Sequence, residues 1–534
     1  MTLSSIPLAT SDLQISHGAR RNSTLICAPV MGESVDQMLR QVRQAKELGA
    51  DLVEIRLDYI KNFSPRQDLE TLIKRSPLPT LVTYRPKWEG GEYEGDENKR
   101  QQALILAMEL GADYIDVELK VANDFYSSIQ GKKPEKVKII VSSHNYENTP
   151  SAEEIGNLVA TIQATGADIV KVATTALDIT DNARIFQVLA RSQVPMIGLL
   201  MGEKGLISRV LSAKYGSYVT FGTLEAGEVS APGQPTVTDL LELYNFRQIG
   251  ANTKVHGVIG NPIGHSKSPH LYNAAFKANN FNGIYLPLLV DSVANFINTY
   301  NSPDWVGYSY TIPHKEAGFK CCDEIDPNAL AIGAISCMIR NPTDGKLKGY
   351  NVDYLGAIAA IEEGLRGLGL NGSSNGSGSP LAGRLFVVMG AGGAGKALAY
   401  GGKQKGARVV VANRSFDKAK ILADKVGGEA ITLAELANFH PEDGMVLANT
   451  TSVGMKPRTD QTPIPKEALK NYCLVFDAIY TPKWTRLLTE AQESGAAVVF
   501  GTEMFLNQAF VQVEKFSGIP ANKQLIRDTL ARNT

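Results

Sequence analysis

The sequence predicts an α/β protein: a (β/α)8 TIM barrel, then a smaller α/β domain and a Rossmann-type nucleotide domain. Three observations predict it. Eight short β-rich runs alternate with helical stretches up to about residue 225. A fresh β start, "KVHGVIG" at 254, opens a second series. A glycine-rich strand–turn–helix, "LFVVMGAGGAGKALAY" at 385, opens a third. Strands alternating with helices argue for parallel βα units, and eight such units close a barrel of this size. An open doubly wound sheet is the alternative arrangement of the same units.

Residues 1–23 carry "MTLSSIPLATSDLQISHGAR", without the apolar run of a secretory signal and with too little arginine for a convincing transit peptide. They read as a flexible lead-in. The barrel is expected over 24–247, its strands at "TLICAPVM", "ADLVEIRLD", "TLVTYRP", "DYIDVEL", "KIIVSSHN", "DIVKVATTA", "PMIGLLMG" and "VTFGTLE". Between them, stretches such as "SVDQMLRQVRQAKELGA" and "NKRQQALILAMELGA" have helical periodicity. Both end in Gly-Ala followed by Asp, a helix C-cap glycine feeding the next strand. The second domain is expected over 254–365, completed by a helix at 504–525. The Gly/Ser-rich stretch "NGSSNGSGSP" marks a loop within 366–380, and the nucleotide domain follows over 381–503.

Composition narrows the function classes. With 534 residues the chain exceeds a single core, and 43% hydrophobic with 20% charged residues is ordinary for a soluble globular protein. No apolar run is long enough to span a bilayer. The net charge of −1 comes without any Lys/Arg tract, so neither nucleic acid nor membrane is the expected partner. The five cysteines show no metal-ligand spacing and no disulfide framework, which suits a reducing compartment. Histidines gather between 256 and 314, again without ligand spacing, and no metal is expected.

Side chains at the C-terminal ends of barrel strands face the active-site mouth. The polar residues of these runs fall there: Glu54 and Arg56, Arg85, Glu118, His144 and Lys171, with Ser230 and Gln234 after the eighth strand. Lys171 stands alone in the apolar run "IVKVA". It reads either as a salt-bridged core lysine or as a desolvated amine that attacks a carbonyl to form a Schiff base. His144, one strand away, is a candidate general base, with Glu118 a strand further to hold its ring. These residues describe a Schiff-base barrel enzyme acting on an anionic carbonyl compound, and a class I aldolase fits as well.

The motifs go further. "VEIRLD", "YIDVEL", "VSSHN", "IVKVA", "LISR" and "SAPGQ", in that order, resemble type I 3-dehydroquinate dehydratase over 24–245. The resemblance implies that Lys171 forms the imine with the C3 ketone of 3-dehydroquinate. His144 would then remove a C2 proton and assist loss of the hydroxyl as water, with Glu118 orienting it. Arg209, Ser230 and Gln234 would hold the carboxylate and hydroxyls, and Glu54, Arg56 and Arg85 would complete the polar wall.

In the third series, Gly390, Gly392 and Gly395 form a G-x-G-x-x-G turn, with Gly393 and Ala394 inside it. The next strand ends in Asn413, Arg414 and Ser415, with Lys418 beyond, where NAD-binding chains carry an acid. Cations there suit the 2′-phosphate of NADP. "GNPIGHSKSPHLYN", "YTIPHKE", "GKLKGYNVDYLG", "NTTSVGM" and "GTEMFLNQA" resemble shikimate dehydrogenase over 254–525. The resemblance places Ser266 and Ser268 on the substrate carboxylate, and Lys315 and Asp353 as the acid–base pair. Thr311, Ser336, Tyr480 and Gln508 would line the ring pocket, and Gly501 and Met504 would lie along the cofactor.

The two halves in this order resemble the fused plant family in which the dehydratase product, 3-dehydroshikimate, is the reductase substrate. That implies small-molecule substrates (3-dehydroquinate, 3-dehydroshikimate, shikimate), NADP(H), a monomer, and the plastid stroma, with the cytoplasm as the alternative. Four positions depart from the family pattern: Ser336 and Val352 replace an asparagine and a threonine, and Ser309-Tyr310 replaces Asn-Val. Lost hydrogen bonds to a substrate hydroxyl alter discrimination. The alternatives are therefore a reductase half with altered specificity, oxidising 3-dehydroshikimate toward gallate or acting on quinate, or a weakly active binding domain.

Overall fold

The computed structural model describes residues 22–227, 230–371 and 378–533. The expected lead-in over 1–21 and positions 372–377 of the Gly/Ser-rich loop lie outside the described residues. The chain forms two compact units, one up to Thr253 apart from Asp178–Thr180, the other from Lys254 onward together with those three residues.

The first unit is built on eight parallel strands: β1 (Leu25–Val30), β2 (Leu52–Arg56), β3 (Thr80–Thr83), β4 (Tyr114–Glu118), β5 (Lys138–His144), β6 (Ile169–Thr175), β7 (Met196–Met201) and β8 (Val219–Phe221). The ladder runs β7-β6-β5-β4-β3-β2-β1-β8. Its two ends meet where the Tyr218 N–H donates to Met196 O at 2.7 Å. β8 is only three residues long, and its ladder is with β1. Alternation then sorts every side chain. One face is buried and mostly apolar (Ile26 and Ala28, Val53 and Ile55, Ile115 and Val117, Val170 and Val172), with Thr80, Thr174 and Thr220 as its buried polar members. The other face is apolar at the N-terminal ends, where Cys27, Leu52, Leu81, Ile140, Ile169, Ile197 and Val219 form one cluster. At the C-terminal ends of β2 to β6 that face is polar, carrying Glu54 and Arg56, Thr83, Asp116 and Glu118, Ser142 and His144, and Lys171.

The Gly-Ala-Asp repeats gain a structural reason. Gly49 closes helix 35–48 in the left-handed region at φ 93°. Asp51 accepts from the Ile26 N–H at 2.7 Å, Asp113 from the Thr80 N–H at 2.8 Å, and Asp168 from the Ile139 N–H at 2.7 Å. Each carboxylate satisfies a backbone donor at the start of the preceding strand, which would otherwise lack a partner.

The second unit holds two sheets. The first contains β9 (Lys254–Gly260), β10 (Gly283–Leu289), β11 (Trp305–Tyr310), β12 (Glu324–Ile325), β13 (Cys337–Arg340) and β14 (Leu347–Tyr350), ordered β10-β9-β11-β13-β14-β12. It is mixed: β11 and β14 both pair with β13 antiparallel. The second contains β15 (Leu385–Met389), β16 (Arg408–Asn413), β17 (Glu429–Thr432), β18 (Met445–Asn449), β19 (Tyr472–Asp477) and β20 (Ala497–Val499), ordered β17-β16-β15-β18-β19-β20. All of its pairs are parallel, the doubly wound order whose switch point lies between the first and fourth strands. Helix 353–367 leads into this sheet. Helix 501–517 returns, burying Phe510, Val513 and Phe516 with Leu271, Tyr272 and Phe276, and helix 523–532 adds Ile526 and Leu530 to the same core.

Candidate active sites

In the first unit the period-two alternation of β2 to β6 puts charged groups on one face in adjacent strands. Lys171, on β6, is 5% exposed and donates from Nζ to Asp116 Oδ2 at 2.9 Å. Its ammonium also lies 4.9 Å from the centre of the Phe221 ring. Asp116 Oδ1 accepts from Ser142 at 2.6 Å and pairs with Arg85 at 2.9 Å. Burial works to raise the Asp116 carboxyl, but Arg85 and Lys171 outweigh it and hold it well below the usual carboxylate range. Arg85 reaches Glu118 Oε1 at 2.7 Å. Glu54 accepts from Thr83 at 2.8 Å, and Arg56 makes a two-pronged pair with Asp58 at 3.0 and 2.7 Å.

His144 ends β5 with its side chain one strand from Lys171. Burial depresses its pKa first, and Arg85 and Lys171 depress it further, so the imidazole is neutral near pH 7. Here the expectation for Glu118 is corrected. Glu118 does not hold His144; both of its oxygens face arginines, Arg85 at 2.7 Å and Arg100 at 2.8 Å. The carboxylate at His144 belongs to Glu89, which accepts from the His144 backbone N–H at 2.8 Å and lies 3.3 Å from Nδ1. Glu118 points from its strand toward β3 and the buried Arg100, whereas Glu89 comes from the loop after β3 that folds back over β5. With Nδ1–H donated to Glu89, Nε2 is left to accept a proton.

Arg209, on helix 206–210, is 1% exposed, and among the described residues no carboxylate meets it. Its terminal nitrogen donates to Pro232 O at 3.3 Å and Nε is unpartnered. Burial pushes its pKa down to about 10. A buried guanidinium without a counter-ion suits an anionic ligand. Ser230 and Gln234 bond each other across the loop that carries Pro232, at 3.0 and 3.1 Å.

In the second unit Lys315, which begins helix 315–320, is ion-paired with Asp353 at the start of helix 353–367. Asp353 is 1% exposed and also accepts from Gln508 at 2.9 Å, while its N–H donates to Asn351 at 3.0 Å. The glycine turn lies against this pair: a Cβ on Gly393 would stand 2.9 Å from the Lys315 Cβ. Tyr480 stacks on Phe505 with ring centres 4.7 Å apart, and burial raises its phenol against a hydrogen bond with Ser266. The Ser268 N–H donates to Ser266 at 3.3 Å. Thr311 follows β11, its N–H on Ile259 O at 3.0 Å. Ser336 is buried, and its hydroxyl accepts from the Val352 N–H at 2.7 Å. Gln512 joins this wall: it accepts from Ser309 at 2.6 Å and donates to Ser336 O at 3.4 Å.

The residues expected to hold a cofactor line the C-terminal edge of the second sheet. Gly390 has φ 103°, and a Cβ on Gly395 would fall 2.0 Å from Gly390 O, so glycine is required at these two positions. Gly392 precedes helix 393–404 and faces open space, and Ala394 lies in that helix's first turn. A strand feeding such a turn and a helix N-terminus fits the pyrophosphate of a dinucleotide. Asn413 ends β16 and donates to Ser415 O at 3.0 Å, and Arg414, Ser415 and Lys418 are exposed there. Gly501 packs under Ala478 O and Ile479 O, and Met504 is buried in the apolar cluster of helix 353–367.

Sequence reasoning missed Asp58, Glu89, Asp116, Ser142 and Gln512. Asp116 and Ser142 were legible from alternation, each standing two residues before a residue that was singled out. Glu89 follows no period, and only the folded loop brings it to His144.

Comparison with known proteins agrees with this architecture. The type I 3-dehydroquinase family matches residues 26–251. The shikimate dehydrogenase substrate-binding domain matches 258–338, shikimate/quinate 5-dehydrogenase 376–478, and the shikimate 5′-dehydrogenase C-terminal domain 501–531. A chloroplastic bifunctional 3-dehydroquinate dehydratase/shikimate dehydrogenase of Arabidopsis thaliana is 62% identical over 510 residues, covering 96% of this chain and 85% of that one. A shikimate dehydrogenase (NADP(+)) of Bacillus cereus is 35% identical over 286 residues, covering 52% of this chain and 98% of that one. The structure of shikimate 5-dehydrogenase from Thermus thermophilus with NADP(H) and shikimate covers 53% of this chain and 100% of that chain, at 27% identity and a TM-score of 0.45. With a charged barrel face, a lysine–aspartate pair beside a dinucleotide turn, and near-full-length identity of this degree, the chain belongs to the family of bifunctional 3-dehydroquinate dehydratase/shikimate dehydrogenases, enzymes of the shikimate pathway.

Proposed function

We propose that the first unit dehydrates 3-dehydroquinate through a Schiff base on Lys171, and that the second reduces the resulting 3-dehydroshikimate with NADPH. The observation that carries the first step is a buried amine one strand from a neutral imidazole, on the charged face of the barrel. Lys171 condenses with the C3 ketone, and the protonated imine accepts the electrons released when His144 takes a C2 proton. Glu89 fixes the imidazole so that Nε2 faces the substrate, and the protonated imidazole returns its proton to the departing hydroxyl. Arg209, which meets no carboxylate among the described residues, receives the substrate carboxylate, with Ser230 and Gln234 on the hydroxyls. Glu54, Arg56 and Arg85 keep the polar wall in place. Borohydride should trap a covalent adduct with 3-dehydroquinate in the full chain and none in Lys171→Ala; an adduct in the variant overturns the assignment.

For the reductase, Gly390, Gly392, Gly393, Ala394 and Gly395 would hold the cofactor's pyrophosphate, and Asn413, Arg414, Ser415 and Lys418 its 2′-phosphate. Gly501 and Met504 would back the nicotinamide end. The bound cofactor supplies the hydride. Lys315 delivers a proton to the nascent alkoxide, and Asp353, held by Gln508, keeps that lysine in place. Ser266 and Ser268 take the carboxylate, and Thr311 and Tyr480 line the ring.

One observation favours a second reading of this half. The Ser336 hydroxyl is engaged by the Val352 N–H, where the family pattern offers an asparagine amide and a threonine hydroxyl. The ring hydroxyls therefore meet fewer donors, which favours slower shikimate turnover and use of the domain on 3-dehydroshikimate toward gallate, or on quinate. NADP-linked rates with shikimate, quinate and 3-dehydroshikimate distinguish these, and Ser336→Asn with Val352→Thr should raise shikimate turnover. The chloroplastic location in the name of the Arabidopsis relative supports the plastid stroma as the compartment, testable by imaging a fluorescent fusion of the full-length gene product.

A further inference from the structure

We propose that Asp116 is a catalytic residue of the dehydratase half: the fixed counter-ion that keeps the imine nitrogen formed on Lys171 protonated. The inference rests on the Schiff-base reading above and assigns a role to a carboxylate which that reading leaves unused.

The geometry separates the two oxygens of Asp116. Oδ1 is taken by Arg85 at 2.9 Å and by the Ser142 hydroxyl at 2.6 Å. Oδ2 is left for Lys171 Nζ at 2.9 Å. The carboxylate is 0% exposed, so water does not screen the pair. The two donors on Oδ1 hold the group in one rotamer, and Oδ2 stays aimed at the nitrogen while the substrate is exchanged.

The atoms balance around that contact. An ammonium and a ketone condense to a protonated imine and one water: the nitrogen loses two hydrogens to the departing oxygen and keeps one. The nitrogen's charge is +1 before and after, so the ion pair persists through condensation, and the remaining N–H points at Oδ2. A protonated imine is the electron acceptor when His144 removes the C2 proton; a neutral imine is a poor one. Without the counter-ion, burial and the surrounding cations would strip that proton at lower pH. The other titratable and charged groups around the site include Cys27 on β1, Glu54 and Arg56 on β2, Arg85 and Glu89 beyond β3, Glu118 on β4, His144 on β5, Tyr146 after it, and Arg209 on helix 206–210. Of the carboxylates, Asp116 is the one hydrogen-bonded to Nζ.

The test is Asp116→Asn in the full chain, which keeps shape and removes charge. The dehydratase kcat and the yield of hydride-trapped adduct with 3-dehydroquinate are measured between about pH 6 and 9. We expect kcat to fall at least tenfold with KM changed less than about threefold. The alkaline limb of both profiles should move to lower pH by about one unit or more. An alkaline limb at the wild-type position overturns the proposal, because a merely structural loss lowers rates without moving that limb. If Asp116→Asn does not fold, Asp116→Glu decides: it should lower kcat yet keep the wild-type limb, and a displaced limb overturns the proposal. Loss of adduct in Lys171→Ala tests the Schiff base itself, so failure of one idea is distinguishable from failure of the other.

Discussion

Glu89 and Glu118 carry the same chemical group, yet their surroundings give them different work. Glu89 faces a histidine from a loop, and Glu118 is locked between two arginines. Glu89→Gln should therefore lower the dehydratase kcat roughly 10- to 100-fold with little change in KM, because the ring keeps an acceptor but loses the negative charge that supports the imidazolium. Glu118→Gln should act through stability, by about 1 kcal/mol, since Arg85 and Arg100 each lose one carboxylate while Glu97 still pairs with Arg100; steady-state kinetics and thermal melts of the two variants separate the effects. His144, held below its usual pKa by burial and by cations, should place the acid limb of dehydratase kcat below pH 6.5. His256 is a different case. Its ring is fully buried among Phe276, Phe281 and Phe516, and burial pushes its pKa down to about 4. A lowered histidine pKa means that the neutral form is the one that folds. Its contribution is complete above about pH 6.5 and lost as pH falls toward 4, roughly 3 kcal/mol in all. His256→Phe should flatten the acid side of the second unit's melting profile.

At the scale of elements, the glycine turn and the C-terminal ends of β18 and β19 prepare the reductase site. Gly395→Ala would drive a Cβ into Gly390 O, and it should raise the KM for NADP at least tenfold through the loss of the close turn. Asp477, at the end of β19, is buried with no cation beside it among the described residues. Its oxygens accept from Asn449 at 3.1 Å, the Ile479 N–H at 3.0 Å and Thr485 at 2.7 Å, tying β18 to the loop that carries Tyr480. Burial raises its pKa to about 6. For a carboxyl raised in the fold, the penalty is full above pH 6 and relieved as pH falls toward about 4, opposite in sign to His256. An amide can keep all three contacts, because the Thr485 hydroxyl can turn to accept. Asp477→Asn should therefore melt no lower than wild type at about pH 8, and a clear loss there would count against the buried-charge penalty.

For the whole molecule, two units with separate cores carry the two reactions. Lys315→Ala should abolish reduction while leaving the dehydratase rate within about twofold, and Lys171→Ala should do the reverse. Coupled and separate assays on each variant check this. The barrel was legible because each strand repeats one pattern and each helix hands over to the next strand through the same turn. Its seam was not: Val219–Phe221 reads like any other strand, yet it pairs with β1 and meets β7 through the Tyr218 N–H on Met196 O.

The sequence by itself determined what alternation and motif spacing encode. That covers eight βα units, the glycine turn, and the face that gathers Glu54, Arg56, Arg85, Glu118, His144 and Lys171, because a side chain's direction on a strand follows from its position. Only the tertiary structure decided which charge meets which. Asp116 rather than solvent faces Lys171, Glu89 rather than Glu118 faces His144, and Ser336 is turned to the Val352 backbone. Such pairings join residues far apart in the chain over a few ångströms, and the path of a loop or the register between strands sets them, not any local preference of the residues themselves.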